Sequence, residues 1–179
     1  MKIVIDTCVL YPTVMRQMVL GAAEAGAFTP VWSSRILEEW SRAAAKLGPQ
    51  GQVQADHEIA DIRRRFPRAE SKVPEGLTAR LWLPDNNDIH VLAAAVATSS
   101  DAIMTLNAKD FPRGVLAEEG VTRVDPDTYL LGLWKSSPDM LEAVGAKVLA
   151  DAQRLSGSDW QMRPLLKKAR LPRLANALS

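Results

Sequence analysis

The stretch that decides the fold stands at the start of the chain: Lys2-Ile3-Val4-Ile5-Asp6-Thr7. Its three consecutive β-branched apolar residues predict a short buried strand, and Asp6 stands at the carboxyl end of that strand. An unpaired carboxylate at such a position is energetically costly. Asp6 therefore either caps the following helix through backbone N–H groups or has another partner, such as a cation.

Further strands and helices are predicted by apolar runs and by helical periodicity bounded by capping or breaking residues. The predicted strands are 28–32, 101–105 and 121–124; the predicted helices are 14–25, one starting at 33–34, 53–66, 85–99, and 127–155 with an interruption at 136–138. Short strands separated by helices predict a three-layer α/β fold around a central, mostly parallel β-sheet flanked by helices. In such folds ligands bind beyond the carboxyl ends of the strands, where both Asp6 and Asn107 lie.

Composition excludes several classes of protein. The 179 residues are 47% hydrophobic and 24% charged, as in ordinary globular proteins, and no apolar run is long enough to span a membrane. The acid at position 6 interrupts any signal peptide. One cysteine, Cys8, cannot form an internal disulfide, so we expect a cytoplasmic protein.

Charge is unevenly distributed along the chain. Residues 151–179 contain six Lys and Arg against two Asp, a net charge of +4, whereas residues 1–150 carry −3. A basic tail of this kind contacts an anion, contacts the acidic surface of its own protein, or is a solvated helix face.

Polar residues crowd the start of the apolar helix in Leu83-Pro84-Asp85-Asn86-Asn87-Asp88-Ile89-His90-Val91-Leu92-Ala93-Ala94-Ala95. Asp85 is predicted to cap this helix, and Asp88, three residues later, to reach back as in a capping box. Asp88 also lies one turn before Val91 and Leu92, where a carboxylate needs a partner and a cation is a natural one. His90 is predicted to occupy a different face and to be structural.

Two further oxygen donors stand near the ends of predicted elements. Glu39 lies early in its helix, where an acid either interacts with the helix dipole or binds a ligand. Asn107 either shapes the turn that follows its strand or offers a neutral oxygen to Mg²⁺ or Mn²⁺.

The ordered set of these segments resembles the PIN-domain nucleases, including the VapC-like toxins. The resemblance covers about residues 1–125 and rests on Ile3–Thr7, Ser33–Trp40, Pro84–Ala95 and Asp101–Asn107. It implies a metal-dependent endoribonuclease that uses Mg²⁺ or Mn²⁺. By position, it implies that Asp6, Glu39 and Asp88 are the acids of the site, with Asp6 and Asp88 as metal ligands.

Asn107 departs from the resemblance, because many such proteins have an acid at this position. Either Asn107 completes the metal site or Asp110 replaces the missing carboxylate; Glu38 is the alternative to Glu39. One carboxylate outside the metal's ligand shell, Glu39 or Asp110, is expected to orient or deprotonate the attacking water. Thr7, Thr105 and Asp85 are expected to support the site.

RNA binding requires cations to offset this acidic pocket. The candidates are Arg16, Arg63, Arg64, Arg65, Lys167 and Lys168.

The predicted organisation is a nuclease domain at 1–126 and a basic helical extension at 127–179 that covers the domain or supports a homodimer. The resemblance also implies an antitoxin partner. A catalytically weak scaffold that binds RNA or protein is the alternative. A dehalogenase-type phosphatase is disfavoured because Cys8 occupies the position of its second Asp, and a nucleotide-binding protein because no Gly-rich turn follows the first strand.

Overall fold

The computed structural model describes all 179 residues. Its strands are β1 (Lys2–Ile5), β2 (Thr29–Ser33), β3 (Glu70–Ser71), β4 (Ala102–Met104) and β5 (Thr122–Val124). They form one parallel sheet in the order β3-β2-β1-β4-β5. The predicted α/β fold with a central parallel sheet flanked by helices is confirmed.

Eleven α-helices connect and follow the strands. They are α1 (Thr7–Leu10), α2 (Thr13–Glu24), α3 (Ser34–Ala45), α4 (Pro49–Arg65), α5 (Leu77–Arg80), α6 (Ile89–Ala97), α7 (Arg113–Glu118), α8 (Pro126–Ser136), α9 (Pro138–Ser156), α10 (Met162–Lys168) and α11 (Pro172–Leu178). Two 3-10 turns cover Asn86–Asp88 and Ala108–Asp110. None of the helices has both the length and the apolar character needed to cross a bilayer.

The chain divides into two compact units, each made of two segments. Unit 1 comprises Met1–Tyr11 and Thr29–Arg123, and unit 2 comprises Pro12–Phe28 and Val124–Ser179. Residues 12–28 therefore belong with the C-terminal helices, which a division of the sequence at residue 126 does not anticipate. The two domains expected from the sequence remain a prediction.

Unit 1 is built around β1, which lies between β2 and β4. Ile3, Val4 and Ile5 are completely buried, and the backbone N–H of Asp6 continues the ladder by donating to Met104 O at 3.0 Å. Helix α6 contacts β1, β2 and β4, and its residues Val91–Ala95 are completely buried. These contacts bring the residues that follow β1 and β4, and those that precede α6, to one edge of the sheet.

Unit 2 is a cluster of helices in which α2 contacts α8 and α9, and α11 contacts α8 and α10. Helix α2 approaches α9 closely at Gly21, where a Cβ atom would lie 2.6 Å from Val144 Cγ1. The tail contributes apolar side chains that are at most 4% exposed: Leu165, Leu166, Leu171, Leu174 and Ala175. The tail therefore takes part in the hydrophobic core of unit 2.

Candidate functional site

Asp6 is a buried carboxylate held by hydrogen bonds to both of its oxygens. Its Oδ1 accepts from Thr7 N at 2.8 Å, and its Oδ2 accepts from Thr105 Oγ1 at 2.8 Å. Asp6 thus caps α1, which is the first of the two interpretations of this residue given by the sequence. Burial raises the pKa of Asp6 above its usual range, and the hydrogen bonds oppose that shift.

Asp88 lies among other carboxylates at the start of α6. Burial raises its pKa from 3.8 to about 6, helped by the negative charges of Asp6, Asp85 and Asp110. His90 opposes this shift. Asp88 is therefore close enough to three other acids to be repelled by their charge, as expected of a site that attracts a cation.

Asp85 and Asp88 play different local roles. Asp85 Oδ1 accepts from Asn87 N at 2.9 Å, so Asp85 caps the 3-10 turn before α6. The capping-box prediction for Asp88 is wrong, because its side chain makes no capping hydrogen bond. The 3-10 turn takes up the residues between Asp85 and α6, which leaves the carboxylate of Asp88 outside the capping interaction.

Glu39 is held by His90 and by Thr7. His90 Nε2 lies 2.6 Å from Glu39 Oε1, without the angles of a good hydrogen bond, and Thr7 Oγ1 lies 3.3 Å from Glu39 Oε2. Thr7 Oγ1 is also 3.0 Å from Ile36 O, so its single proton serves one acceptor at a time. Glu39 also raises the pKa of Asp6 by its charge, whereas Glu38 is 59% exposed and pairs with Arg42 at 3.8 Å.

His90 makes a contact that the sequence did not predict. This side chain is 4% exposed, and its Nε2 lies 2.6 Å from Glu39 Oε1. Its structural role stays a prediction.

Cys8 is a part of this site that sequence reasoning missed. Its Sγ donates to Asp6 Oδ2 at 3.4 Å and accepts from Leu106 N at 3.3 Å. Burial, together with the charge of Asp6, raises the pKa of Cys8 to about 12, so the group is a neutral thiol. Its position two residues after Asp6 was the available signal.

The loop after β4 carries Thr105, Asn107 and Asp110. Thr105 is buried on Asp6, and its Oγ1 also accepts from Asn107 N at 3.1 Å. The side chain of Asn107 is exposed, whereas Asp110 is partly buried and acts electrostatically on Asp88. Asp110 therefore joins Asp6, Glu39 and Asp88 in what we call the acidic cluster, and Asn107 is a neutral amide on the same loop as Asp110.

A comparison with protein families gives one match. The family model of the PIN domain matches residues 2–109, more than half of the chain. The chain belongs to the PIN-domain family. Searches of curated proteins and of solved structures give no significant match. PIN domains are generally nucleases, and the matched region contains Asp6, Glu39, Asp88 and Asn107 and ends one residue before Asp110.

PIN domains typically use divalent metals, and the donor chemistry of this PIN domain fits such an ion. Mg²⁺ and Mn²⁺ prefer oxygen ligands and retain several waters, so a few carboxylates suffice. The repulsion that raises the pKa of Asp88 is the kind that a cation relieves. No three His, Cys, Asp or Glu side chains, however, form a ready-made metal-binding group in this structure.

The predicted basic residues of the PIN domain mostly have intramolecular partners. Arg63 donates to both carboxylate oxygens of Glu70, at 2.7 and 3.0 Å, and Arg64 and Arg65 both pair with Asp61. Arg16 is only 5% exposed, which leaves little of its surface for RNA.

Lys167 and Lys168 are exposed at the end of α10. Lys168 Nζ lies 5.3 Å from the centre of the Trp160 ring. Their role in RNA binding remains a prediction.

Two cavities differ in chemistry. An apolar cavity of about 440 Å³ lies in unit 2 between α2, α9 and α10, and no Asp or Glu lines it. A more polar cavity of about 700 Å³ lies in unit 1, and His90 contributes to its wall. Because His90 contacts Glu39, the cavity in unit 1 adjoins the acidic cluster.

Proposed function

We propose that this protein is a divalent-metal-dependent endoribonuclease that hydrolyses RNA phosphodiester bonds. The observation that carries the proposal is the placement of Asp88 beside Asp6 and Asp110 at the carboxyl edge of a PIN-domain sheet, where burial and then the charges of these neighbours raise its pKa to about 6. A cluster of carboxylates attracts a divalent metal ion, and such an ion can assist the hydrolysis of a phosphodiester, the kind of bond that nucleases cleave.

The residues divide into ligands and supporting groups. Asp6 and Asp88 would hold Mg²⁺ or Mn²⁺, with Asp110 or Asn107 as a further oxygen donor. When bound, the ion supplies stabilisation of the phosphate charge and a more acidic water. Thr105 and Thr7 N keep Asp6 oriented through the hydrogen bonds described above.

Glu39 is the group that we assign to the attacking water. His90 Nε2 and Thr7 Oγ1 lie 2.6 and 3.3 Å from its two carboxylate oxygens, and Glu39 caps no helix. A carboxylate with these neighbours can accept the proton of a water that attacks the phosphorus. Asp110 is the alternative for this role.

The test is RNA cleavage by the purified protein with Mg²⁺ or Mn²⁺ and with EDTA. Asp6→Asn and Asp88→Asn should each lower cleavage at least about a hundredfold, with unchanged circular dichroism. Asp139→Asn is the matched control, because Asp139 is exposed in the first turn of α9 and the charge change is the same. Cleavage that persists in both active-site variants would exclude these acids as catalysts.

A catalytically weak scaffold is the second candidate. It is favoured by the lack of a ready-made group of three metal-binding side chains and by the exposed amide at Asn107. In this case the protein binds RNA or a protein partner in a filter-binding or pull-down assay, and no metal produces cleavage.

We propose further that the protein acts in the cytoplasm as the toxin of a toxin–antitoxin pair and forms a homodimer. Support for these roles comes from the likeness to VapC-like toxins and from the basic tail. Expression should arrest growth, co-expression of a neighbouring antitoxin gene should restore it, and sedimentation should give twice the mass of one chain. Normal growth during expression of active enzyme would favour a role in RNA turnover.

A further inference from the structure

Unit 2 contains the apolar cavity of about 440 Å³, which lies where α2, α9 and α10 meet. All of its wall residues belong to unit 2, and most of them are apolar. Its volume falls within the roughly 300–1,000 Å³ of small-ligand sites, which are also mostly apolar with a few polar groups. The cavity therefore suits a small molecule with an apolar body.

The apolar part of the wall combines buried and exposed side chains. Met15 and Leu165 are at most 4% exposed, Trp160 is half-buried, and Leu155 near the end of α9 is 69% exposed. Single exposed apolar side chains are common on proteins, but Leu155 continues the apolar surface of a cavity, and contiguous surface of this kind marks binding sites. A bound apolar chain would cover Leu155 together with the wall inside the cavity.

Lys168 is the one charged residue in the wall of this cavity. It pairs with no carboxylate, and its Nζ lies 5.3 Å from the centre of the Trp160 ring. Two acids adjoin wall residues in the sequence, and both have partners: Asp151 pairs with Arg154 at 3.5 Å, and Asp159 accepts a hydrogen bond within its own loop. The charge of the cavity wall is therefore complementary to a single anionic group.

Two neutral hydrogen-bond donors stand in the same wall. The hydroxyl of Thr13 and the side-chain amide of Gln17 make no hydrogen bond within the protein. The hydroxyl of Ser156, by contrast, donates to Ala152 O at 2.7 Å. An ionised carboxylate is an acceptor only, so it can use the N–H groups of Lys168 together with those of Gln17 or the hydroxyl of Thr13.

We propose that this cavity binds a medium-chain aliphatic carboxylate, with its chain against the apolar wall and its carboxylate group beside Lys168. A cationic ligand would be repelled by Lys168 and would find no acid in the wall. A ligand that is polar throughout would leave its own polar groups without partners against the apolar side chains. The site belongs to unit 2 and does not depend on the proposed ribonuclease function.

The test is calorimetric titration of the full chain at pH 7 with decanoate, which is ionised at this pH. Decanol and decyltrimethylammonium are the comparison ligands, because they have the same chain with no charge or with a positive charge. We expect decanoate to bind most tightly, decanol more weakly and the cation least. If decanoate does not bind, or if the three ligands bind equally, the inference is wrong.

Lys168→Met removes the charge and keeps much of the apolar stem of this side chain. It should weaken decanoate binding about two- to fivefold and leave decanol binding unchanged. Lys167→Met is the matched control, because Lys167 is an exposed lysine of α10 outside the cavity wall. Equal decanoate affinities of these two variants would overturn the inference.

Ala152→Phe and Ala169→Phe each place a large side chain in the cavity and should abolish the binding of decanoate and of decanol. Ala150→Phe, at an exposed position of α9 outside the cavity wall, is the matched control. Circular dichroism identifies the variants that fold, and decanoate binding that persists in a folded filling variant would overturn the inference. A wild-type dimer that dissociates when the cavity is filled, without any decanoate binding, would show that a second copy of the chain occupies the cavity instead.

Discussion

The carboxylate of Asp88 is destabilised by its surroundings in the metal-free protein, because burial and three neighbouring acids raise its pKa from 3.8 to about 6. The folded protein therefore binds this proton more tightly than the unfolded chain does. Protonation of Asp88 therefore stabilises the folded state fully at a pH below 3.8, and this stabilisation is lost as the pH rises through about 6.

Asp88→Asn should consequently stabilise the metal-free protein at pH 7 while it removes activity. We expect a gain of about 1 kcal/mol, reduced by solvent screening of a partly exposed group, and a rise in Tm of about 2–4 °C. Thermal melts of variant and wild type in EDTA at pH 4 and pH 7 measure this gain in stability, which should vanish at pH 4. Equal melts of variant and wild type at pH 7 would contradict the repulsion described here.

Added Mg²⁺ or Mn²⁺ should stabilise the wild-type protein, because an ion that binds only the folded state shifts the unfolding equilibrium. The shift should be smaller in Asp88→Asn and should weaken in the wild type as the pH falls below about 6, where Asp88 takes up a proton. Asp139→Asn is again the control. If Mg²⁺ or Mn²⁺ stabilises Asp88→Asn as much as it stabilises the wild type, the ion binds elsewhere.

At the same scale, the sequence predicted which acids lie near one another better than it predicted their other contacts. Asp6 and Asp88 could be recognised because each stands at the end of an apolar element, and parallel strands bring such ends together. The pairing of His90 with Glu39 could not be recognised. It joins residues 51 positions apart, on α3 and α6, which come together only in the folded chain.

Helix α6 carries Asp88 at its start and fixes it against the sheet through small buried side chains. Ala94 is completely buried where α6 contacts β1, β2 and β4. Ala94→Leu should overpack this contact and lower the free energy of unfolding by about 1–3 kcal/mol. Ala97→Leu, on an exposed position of the same helix, is the matched control; equal effects of the two changes in urea titrations would exclude tight packing at Ala94.

The elements that the sequence missed are those with little local signal. Strand β3 has only two residues, Glu70 and Ser71, and its place is set by pairing with β2 and by the bond from Trp32 N to Ala69 O at 3.0 Å. No periodicity exists over two residues. The ordered elements with apolar runs, such as β1 and α6, were predictable to within a few residues because burial itself produces the pattern.

At the scale of the whole molecule, unit 2 depends on contacts between distant parts of the chain. Asp127, which is 6% exposed in α8, accepts from Arg173 N at 2.9 Å and from Leu174 N at 3.0 Å, and so caps α11. Asp127→Asn removes one acceptor and should cost about 1 kcal/mol, with faster hydrogen exchange in α11. Asp139→Asn should change neither quantity, and unaltered exchange in Asp127→Asn would show that the tail is held by apolar burial alone.

The two-segment construction of unit 2 also has a consequence for synthesis of the chain. Helix α2 ends at residue 24, whereas its partners α8 and α9 begin at residues 126 and 138. At translation rates of roughly 5–20 residues per second, the apolar face of α2 waits about 5–20 s for them to leave the ribosome. During that interval the face that later contacts α9 at Gly21 is open to chaperones, to a second nascent chain or to proteases.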